Sequence, residues 1–197
     1  MLIDTGLGEC GAQVVSYLKK LGVEKLDYVV ATHQHQDHIG GLPEVINNFN
    51  VGKALLNSLP YNSKNFEHMH EALKAKNIKV EYIKEGDAFT LGKEVQVKVL
   101  SPEPEIIIPE GIIPEKSDSF VNNKSIVMKM TYKNKSFLFT GDIYSERERE
   151  LVEKMKDALD ADVLKAPHHG ANTSSSKIFI DSVSPKYTIF TSNKSFG

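Results

Sequence analysis

Cysteine is almost missing from this chain of 197 residues. The single Cys10 excludes an intrachain disulfide and leaves no second thiol for a thiolate metal site, so its reading is bland packing in a Gly-rich turn. No apolar run approaches the ~20 residues that cross a bilayer. Strong charge of one sign is also lacking: at a net charge of −2, polyanion binding needs a local patch. Internal repeats, low-complexity tracts and a signal peptide are not seen. What is there is an ordinary globular composition, 40% hydrophobic and 25% charged, long enough for a proper core. One domain over residues 1–197 is expected.

The stretch Thr32-His33-Gln34-His35-Gln36-Asp37-His38-Ile39-Gly40-Gly41 organises the rest. Three of the seven histidines fall within it, together with an aspartate. Imidazole nitrogens and carboxylate oxygens hold divalent transition metals. Residues 26–31 read as a buried strand, so the ligands hang from its carboxyl end. In an extended segment His33 and His35 project the same way and can share one ion. A turn then aims Asp37 and His38 at a second ion. Gly40-Gly41 is expected to let the backbone bend sharply before a helix with Pro43 in its first turn. A surface turn that happens to be rich in histidine is the bland alternative, and the clustering after a strand argues against it.

These residues resemble the signature of the metallo-β-lactamase superfamily of metallohydrolases. Other pieces follow in that superfamily's order: Leu2-Ile3-Asp4-Thr5-Gly6, Thr140-Gly141-Asp142 and His168-His169-Gly170. Asn122-Asn123-Lys124-Ser125-Ile126-Val127 and Leu164-Lys165-Ala166-Pro167-His168-His169-Gly170 are similar to one branch. That branch is the hydrolase domain of the DNA-uptake competence protein ComEC and its free-standing relatives. The resemblance implies an αββα sandwich of two mixed β-sheets with helices outside. It places Asp4 behind the metal site, orienting a ligating histidine; a turn-initiating Asp-Thr-Gly is the alternative. Relatives carry a hairpin before the first motif and continue past Ser195-Phe196-Gly197, so the sequence is expected to be trimmed at both ends. A trimmed start leaves both a cytoplasmic and an extracytoplasmic location open.

Helices are expected over 11–21, 43–49, 62–76, 145–159 and 174–183, and strands over 1–4, 26–31, 51–56, 78–83, 88–91, 94–100, 125–132, 136–140, 162–166 and 186–191. His68 and His70 lie two apart on a helix, about 200° around it, and cannot share an ion. The charged run 146–150 reads as a solvated face. Four of the eight prolines fall in 101–120, where they prevent regular structure. That segment is either a partly apolar lip over the metal site or a surface excursion.

Asp142 follows a hairpin strand and precedes a helix, where it either caps the helix or bridges two ions. Of the adjacent His168 and His169, His169 is expected to ligate and His168 to donate a proton or contact an oxyanion. The expected ligands are thus His33, His35, Asp37, His38, Asp142 and His169, with Asp37 and His168 the catalytic pair. Two ions ~3.5–4 Å apart generate a bridging hydroxide at neutral pH and stabilise developing negative charge. The usual third histidine of the first ion is absent, with Asn122-Asn123 in roughly its place. No cysteine stands where true β-lactamases carry one, so antibiotic hydrolysis is not expected. The oxygen-richer site suits manganese as well as zinc.

Asn123 is expected to bind substrate. Thr173 and Ser174, in the run 172–176 at a helix start, are expected to bind its phosphate, with Lys165 and Lys177 alongside. N-capping accounts for one hydroxyl only. The leading expectation is a dinuclear hydrolase of phosphodiesters, acting on a small molecule or single-stranded nucleic acid. The alternatives are a thioester, lactone or small-phosphoester hydrolase on the same fold, or a non-catalytic metal-binding module. Nothing in the sequence points to a protein partner.

Overall fold

The computed structural model describes residues 1–192; the C-terminal end read as trimmed lies outside them. The chain divides into two units, Met1–Ile83 with Ile108–Ser117, and Lys84–Ile107 with Asp118–Gly197.

In the first unit β1 (Leu2–Ile3), β2 (Lys25–Val30), β3 (Asn50–Leu56) and β4 (Lys79–Tyr82) pair in sequence order, all parallel. Parallel neighbours need long crossovers. Helices α1 (Gly11–Lys20), α3 (Leu42–Asn48) and α4 (Lys64–Ala75) supply them, with α2 (Gln36–Ile39) a single turn after β2. Each helix turns an apolar stripe to the sheet: Val15 from α1, Leu42, Val45 and Ile46 from α3, Met69 and Leu73 from α4. Burying each such side chain contributes about 1.5–3 kcal/mol. The stripe of α4 leaves His68 exposed, while His70 packs its ring 4.4 Å from Phe66. Burial holds the His70 imidazole below its usual pKa.

Gly40 and Gly41 correct one expectation. Both have ordinary right-handed helical backbones, φ −59° and −83°, so the turn makes no use of glycine's extra freedom. Space is what they provide. A Cβ on Gly40 would lie 2.5 Å from the backbone nitrogen of Gly8, and one on Gly41 2.7 Å from the carbonyl oxygen of Thr5. The chain after β1 is thereby drawn against the metal-loop turn, and Thr5 N–H donates to the carbonyl of His38 at 2.8 Å.

The second unit holds a six-stranded sheet ordered β10-β9-β8-β7-β6-β5. Its strands are β5 (Ala88–Leu91), β6 (Val95–Ser101), β7 (Val127–Tyr132), β8 (Lys135–Phe139), β9 (Val163–Lys165) and β10 (Tyr187–Ile189). Strands β5 to β8 are antiparallel, and β8, β9 and β10 run parallel. Only this sheet is mixed. Helix α6 (Ser145–Leu159) joins β8 to β9, and α7 (Lys177–Val183) joins β9 to β10. Leu151, Val152 and Leu159 of α6 and Phe179 and Val183 of α7 pack with Leu138 and Leu164 in its core. Two sheets with helices match the α/β class expected.

The segment 101–120 is irregular until a 3-10 turn at Pro114–Lys116, and α5 (Asp118–Asn123) begins where the sequence reading still held a loop. Glu115 ties the segment down by accepting the N–H of Asn62 at 2.7 Å. The run 146–150 is a solvated face only in part: Glu146, Arg149 and Glu150 are exposed, and the two residues between are not. Arg147 is 8% exposed and Glu148 fully buried. Arg147 is spent on Ser101 Oγ, Glu103 and Glu150. Among the described residues no helix is long and apolar enough to cross a membrane.

Candidate functional site

The first group of ligand candidates follows β2. Asp4, just after β1, accepts the backbone N–H and the hydroxyl of Thr32, both at 2.8 Å. It also accepts Nδ1 of His38 at 2.7 Å. A carboxylate is acceptor-only, so in neutral His38 the proton sits on Nδ1 and Nε2 carries the lone pair. The Thr32 hydroxyl has given its hydrogen to Asp4, so its oxygen accepts Nδ1–H of His33 at 3.1 Å. Neutral His33 therefore also carries its lone pair on Nε2. His33 and His38 are almost wholly buried.

The backbone behaves as the spacing requires. His35 is extended, with φ −66° and ψ 147°, and α2 then turns Asp37 and His38 together. Nε2 of His33 lies 3.1 Å from Nδ1 of His35, a separation that one ion with metal–nitrogen bonds of about 2.0–2.1 Å spans. Nε2 of His38 lies 3.7 Å from Oδ2 of Asp37. Gln34 points the other way, its Nε2 donating to Asn57 Oδ1 and to the Leu59 carbonyl, while Asn57 donates to the Thr32 carbonyl. The loop is thus held from beneath as well as from behind.

The second group lies at the ends of β8 and β9. Asp142 is buried, and its N–H donates to Ser125 Oγ at 3.1 Å. Its Oδ2 lies 3.0 Å from Nε2 of His169, and its Oδ1 lies 3.3 Å from Nζ of Lys165. His169 donates Nδ1–H to the carbonyl of Thr191 at 2.8 Å, an acceptor-only partner, so in the neutral ring the lone pair sits on Nε2. Helix α6 takes its N-cap at Tyr144 with no side-chain cap bond, so capping does not explain Asp142.

His168 sits 2.5 Å through Nδ1 from Thr173 Oγ1, its ring 4.7 Å from that of Tyr144. His168 and His169 both have left-handed backbones, φ 43° and 56°, a conformation that costs non-glycine residues of order 1–3 kcal/mol and gathers at functional sites. Asp37 with His38 in the first unit, and Asp142 with His169 in the second, each bring ligand atoms within 4.8 Å. The donor chemistry fits divalent ions: hard carboxylate oxygens and imidazoles whose far nitrogens are engaged.

The residues expected to bind substrate are occupied locally. Asn123 Oδ1 accepts the N–H of Tyr144 at 2.8 Å. Ser174 Oγ donates to the carbonyls of Pro167 and Ala171 at 2.9 and 3.1 Å. The anion at the start of α7 is the protein's own: Glu148 accepts the N–H groups of Ser175 and Ser176 at 2.5 and 2.8 Å. The N–H groups of Ser175 and Ser176 are thus taken by Glu148 rather than offered to phosphate. Sequence reasoning missed Thr32, Glu148 and the contact of Lys165 with Asp142. A lysine inside the otherwise apolar run Val163-Leu164-Lys165-Ala166 was the visible signal for the last.

A parallel sheet and a mixed sheet, with imidazoles and carboxylates at strand ends, define a metal-binding α/β protein. The sequence matches the metallo-β-lactamase superfamily over residues 1–190, and the chain belongs to that superfamily, whose members are in general metal-dependent hydrolases. It is 29% identical over 181 residues to ComE operon protein 3 of Bacillus subtilis strain 168, covering 92% of this chain and 22% of that protein. To competence protein ComA of Neisseria gonorrhoeae it is 30% identical over 193 residues, covering 98% and 24%. The chain thus spans under a quarter of the length of these relatives. A solved protein of Parabacteroides distasonis, assigned as a metal-dependent hydrolase, shares the fold with a TM-score of 0.54, at 17% identity over 97% of this chain and 74% of that one.

Proposed function

We propose that this chain is a dinuclear metal-dependent hydrolase of phosphodiesters, acting on nucleic-acid strands or related small molecules. In this reading the ligands of two Zn2+ or Mn2+ ions are drawn from His33, His35, Asp37, His38, Asp142 and His169. One observation carries the metal: His33, His38 and His169 each engage an oxygen through Nδ1, which in the neutral ring puts the lone pair on Nε2, the nitrogen turned toward the neighbouring ligand candidate. A packing histidine needs no such uniformity. When bound, divalent ions lower the pKa of a ligated water from 15.7 to about 7 and stabilise charge on the electrophile's oxygen.

The remaining roles belong to the chain's own groups. Asp4 and Thr32 hold His33 and His38, which leaves less side-chain ordering for the reaction step. His168, held at Nδ1 by Thr173 and faced by Tyr144, has Nε2 to give a proton to the leaving oxygen. Asp37, the more exposed carboxylate of its group with a side chain 41% accessible, is the candidate to ligate and to take up the water's proton. The phosphodiester class is supported by the two competence relatives and by a donor set without thiolate. It is not supported by the loop after β9.

The test loads the protein with Zn2+ or Mn2+ and compares bis-p-nitrophenyl phosphate with a lactone and a glutathione thioester. Turnover of the phosphodiester above the other two is expected. Preference for the thioester or lactone overturns the substrate class. A metallated protein that turns over none of them overturns hydrolysis and leaves a metal-binding module.

A further inference from the structure

Lys165 stands at an unusual place for an ammonium group. It belongs to β9, its side chain is only 15% exposed, and Nζ lies 2.9 Å from the carbonyl of Gly141 and 3.3 Å from Oδ1 of Asp142. The backbone carbonyl of Lys165 in turn accepts the hydroxyl of Thr140 at 2.7 Å. One lysine therefore grips the Thr140-Gly141-Asp142 turn at three consecutive residues. Oδ1 of the carboxylate is thus engaged by Lys165 before any metal arrives, while Oδ2 lies 3.0 Å from Nε2 of His169.

We propose that Lys165 is the resident cation of the Asp142 carboxylate: it holds that side chain in place in the metal-free protein, and it competes with the incoming ion. This rests on the reading of Asp142 as a metal ligand. A buried carboxylate is costly without a partner, and the ammonium is that partner. The same charge then opposes a divalent ion bound to the same group, because like charges a few ångströms apart in a poorly screened interior repel strongly. Asp142 thus meets the ion through Oδ2, the oxygen beside His169, while Oδ1 stays with Lys165. Affinity at this position is held below what the carboxylate and imidazole alone provide, and the carboxylate is held still for the reaction.

A purely structural lysine and a competing one predict opposite signs. The experiment titrates the chelator-treated full chain with Mn2+, and separately with Zn2+, by calorimetry, for the wild type, Lys165→Met and Lys165→Arg. Methionine keeps the unbranched stem and removes the charge, whereas arginine keeps the charge. Lys165→Met is expected to bind at least one ion tighter by about tenfold or more. It should also melt lower without metal and gain more on loading than the wild type. Lys165→Arg should stay near the wild type in affinity. Equal or weaker binding by Lys165→Met, with the arginine variant folded and binding normally, overturns the competition. A Lys165→Met chain that does not fold leaves Lys165→Gln, which also removes the charge, to decide by the same sign, with Lys165→Arg as the charged control. A wild type that takes up no ion overturns the metal reading itself, and this inference with it; uptake by the wild type with no rise in the charge-removing variant overturns the role of Lys165 alone.

Discussion

Oδ2 of Asp4 lies 2.7 Å from Nδ1 of His38 and 2.8 Å from Oγ1 of Thr32, so one carboxylate at the end of β1 sets two histidines at the end of β2. His38 is set directly. His33 is set through the hydroxyl, which accepts from its ring at 3.1 Å.

Asp4→Asn places an amide where three donors, the Thr32 N–H, the Thr32 hydroxyl and the His38 ring, expect an acceptor-only group. Either the amide turns its NH2 toward Thr32 and His38 or one bond is lost. Divalent affinity is expected to fall by about 10–100-fold, with the fold retained. Calorimetric titration alongside circular dichroism checks this. An unchanged affinity would mean that the histidines are oriented by packing alone.

Gly40→Ala separates close approach from backbone freedom. Alanine is at ease at φ −59°, so a flexible-bend role predicts no penalty. The contact at 2.5 Å with Gly8 nitrogen predicts a loss of about 1–3 kcal/mol, as in other overpacked sites. Urea denaturation of the two proteins decides it.

Glu148→Gln tests the internal anion at the start of α7. The amide keeps one acceptor for the two N–H groups of Ser175 and Ser176 and adds an NH2 without a partner in a fully buried place. A loss of about 1–3 kcal/mol is expected in denaturant unfolding. Added inorganic phosphate should not restore it, because the N–H pair points at the fully buried position of residue 148. Restoration by phosphate would return the loop to the substrate.

Much of this was legible in the sequence, and the failures share a cause. Strand-end motifs are local: His33, His35, Asp37 and His38 lie within six residues, and the strand before them announces their direction. Helices such as α4 and α6 show their stripes at a spacing of three and four. Glu148 looked solvated because its neighbours in sequence are charged, but its partners lie 27 and 28 residues away. Gly40 looked like a hinge because a glycine's contacts are invisible until Gly8 is folded beside it. Helix α5 was hidden by the prolines before it: only after Pro114 does the chain become free to coil. The tautomers of His33, His38 and His169 depend on Thr32, Asp4 and Thr191, and no spacing rule contains the last of these.

Asp162 makes stability depend on acid. Lys186 donates to it at 2.7 Å, and the N–H of Ser136 at 3.0 Å, beside the weaker charge of Lys135. The Lys186 hydrogen bond first, then the Ser136 N–H, pull the carboxyl from 3.8 down to about 2. A depressed folded pKa contributes stability above the unfolded value, lost as pH falls from about 4 through about 2. The melting-temperature gap between wild type and Asp162→Asn is therefore expected to be open near pH 5 and to close towards pH 2. A gap constant across that window would assign the effect to the hydrogen bonds rather than the charge.

Asp142→Asn brings the two ligand roles and the lysine together. The substitution keeps the shape and one neutral oxygen but removes the charge shared by Lys165 and His169. Asparagine caps a helix about as well as aspartate, so a capping residue would tolerate the change. Here the cap of α6 lies at Tyr144 and lacks any side-chain bond, so tolerance is not expected. Without metal, the Lys165 ammonium keeps only the Gly141 carbonyl as a full-strength acceptor, and stability should drop by about 1–3 kcal/mol. With metal, one ion should be lost or bound far more weakly, and turnover should fall by orders of magnitude. The order of the two measurements matters. If Asp142 acted only as the partner of Lys165, Asp142→Asn would destabilise the apo chain while ion stoichiometry and rate survived in whatever remained folded. Metal content and rate measured on one folded preparation therefore decide between a ligand and a counter-ion, and loss of both is the expected result.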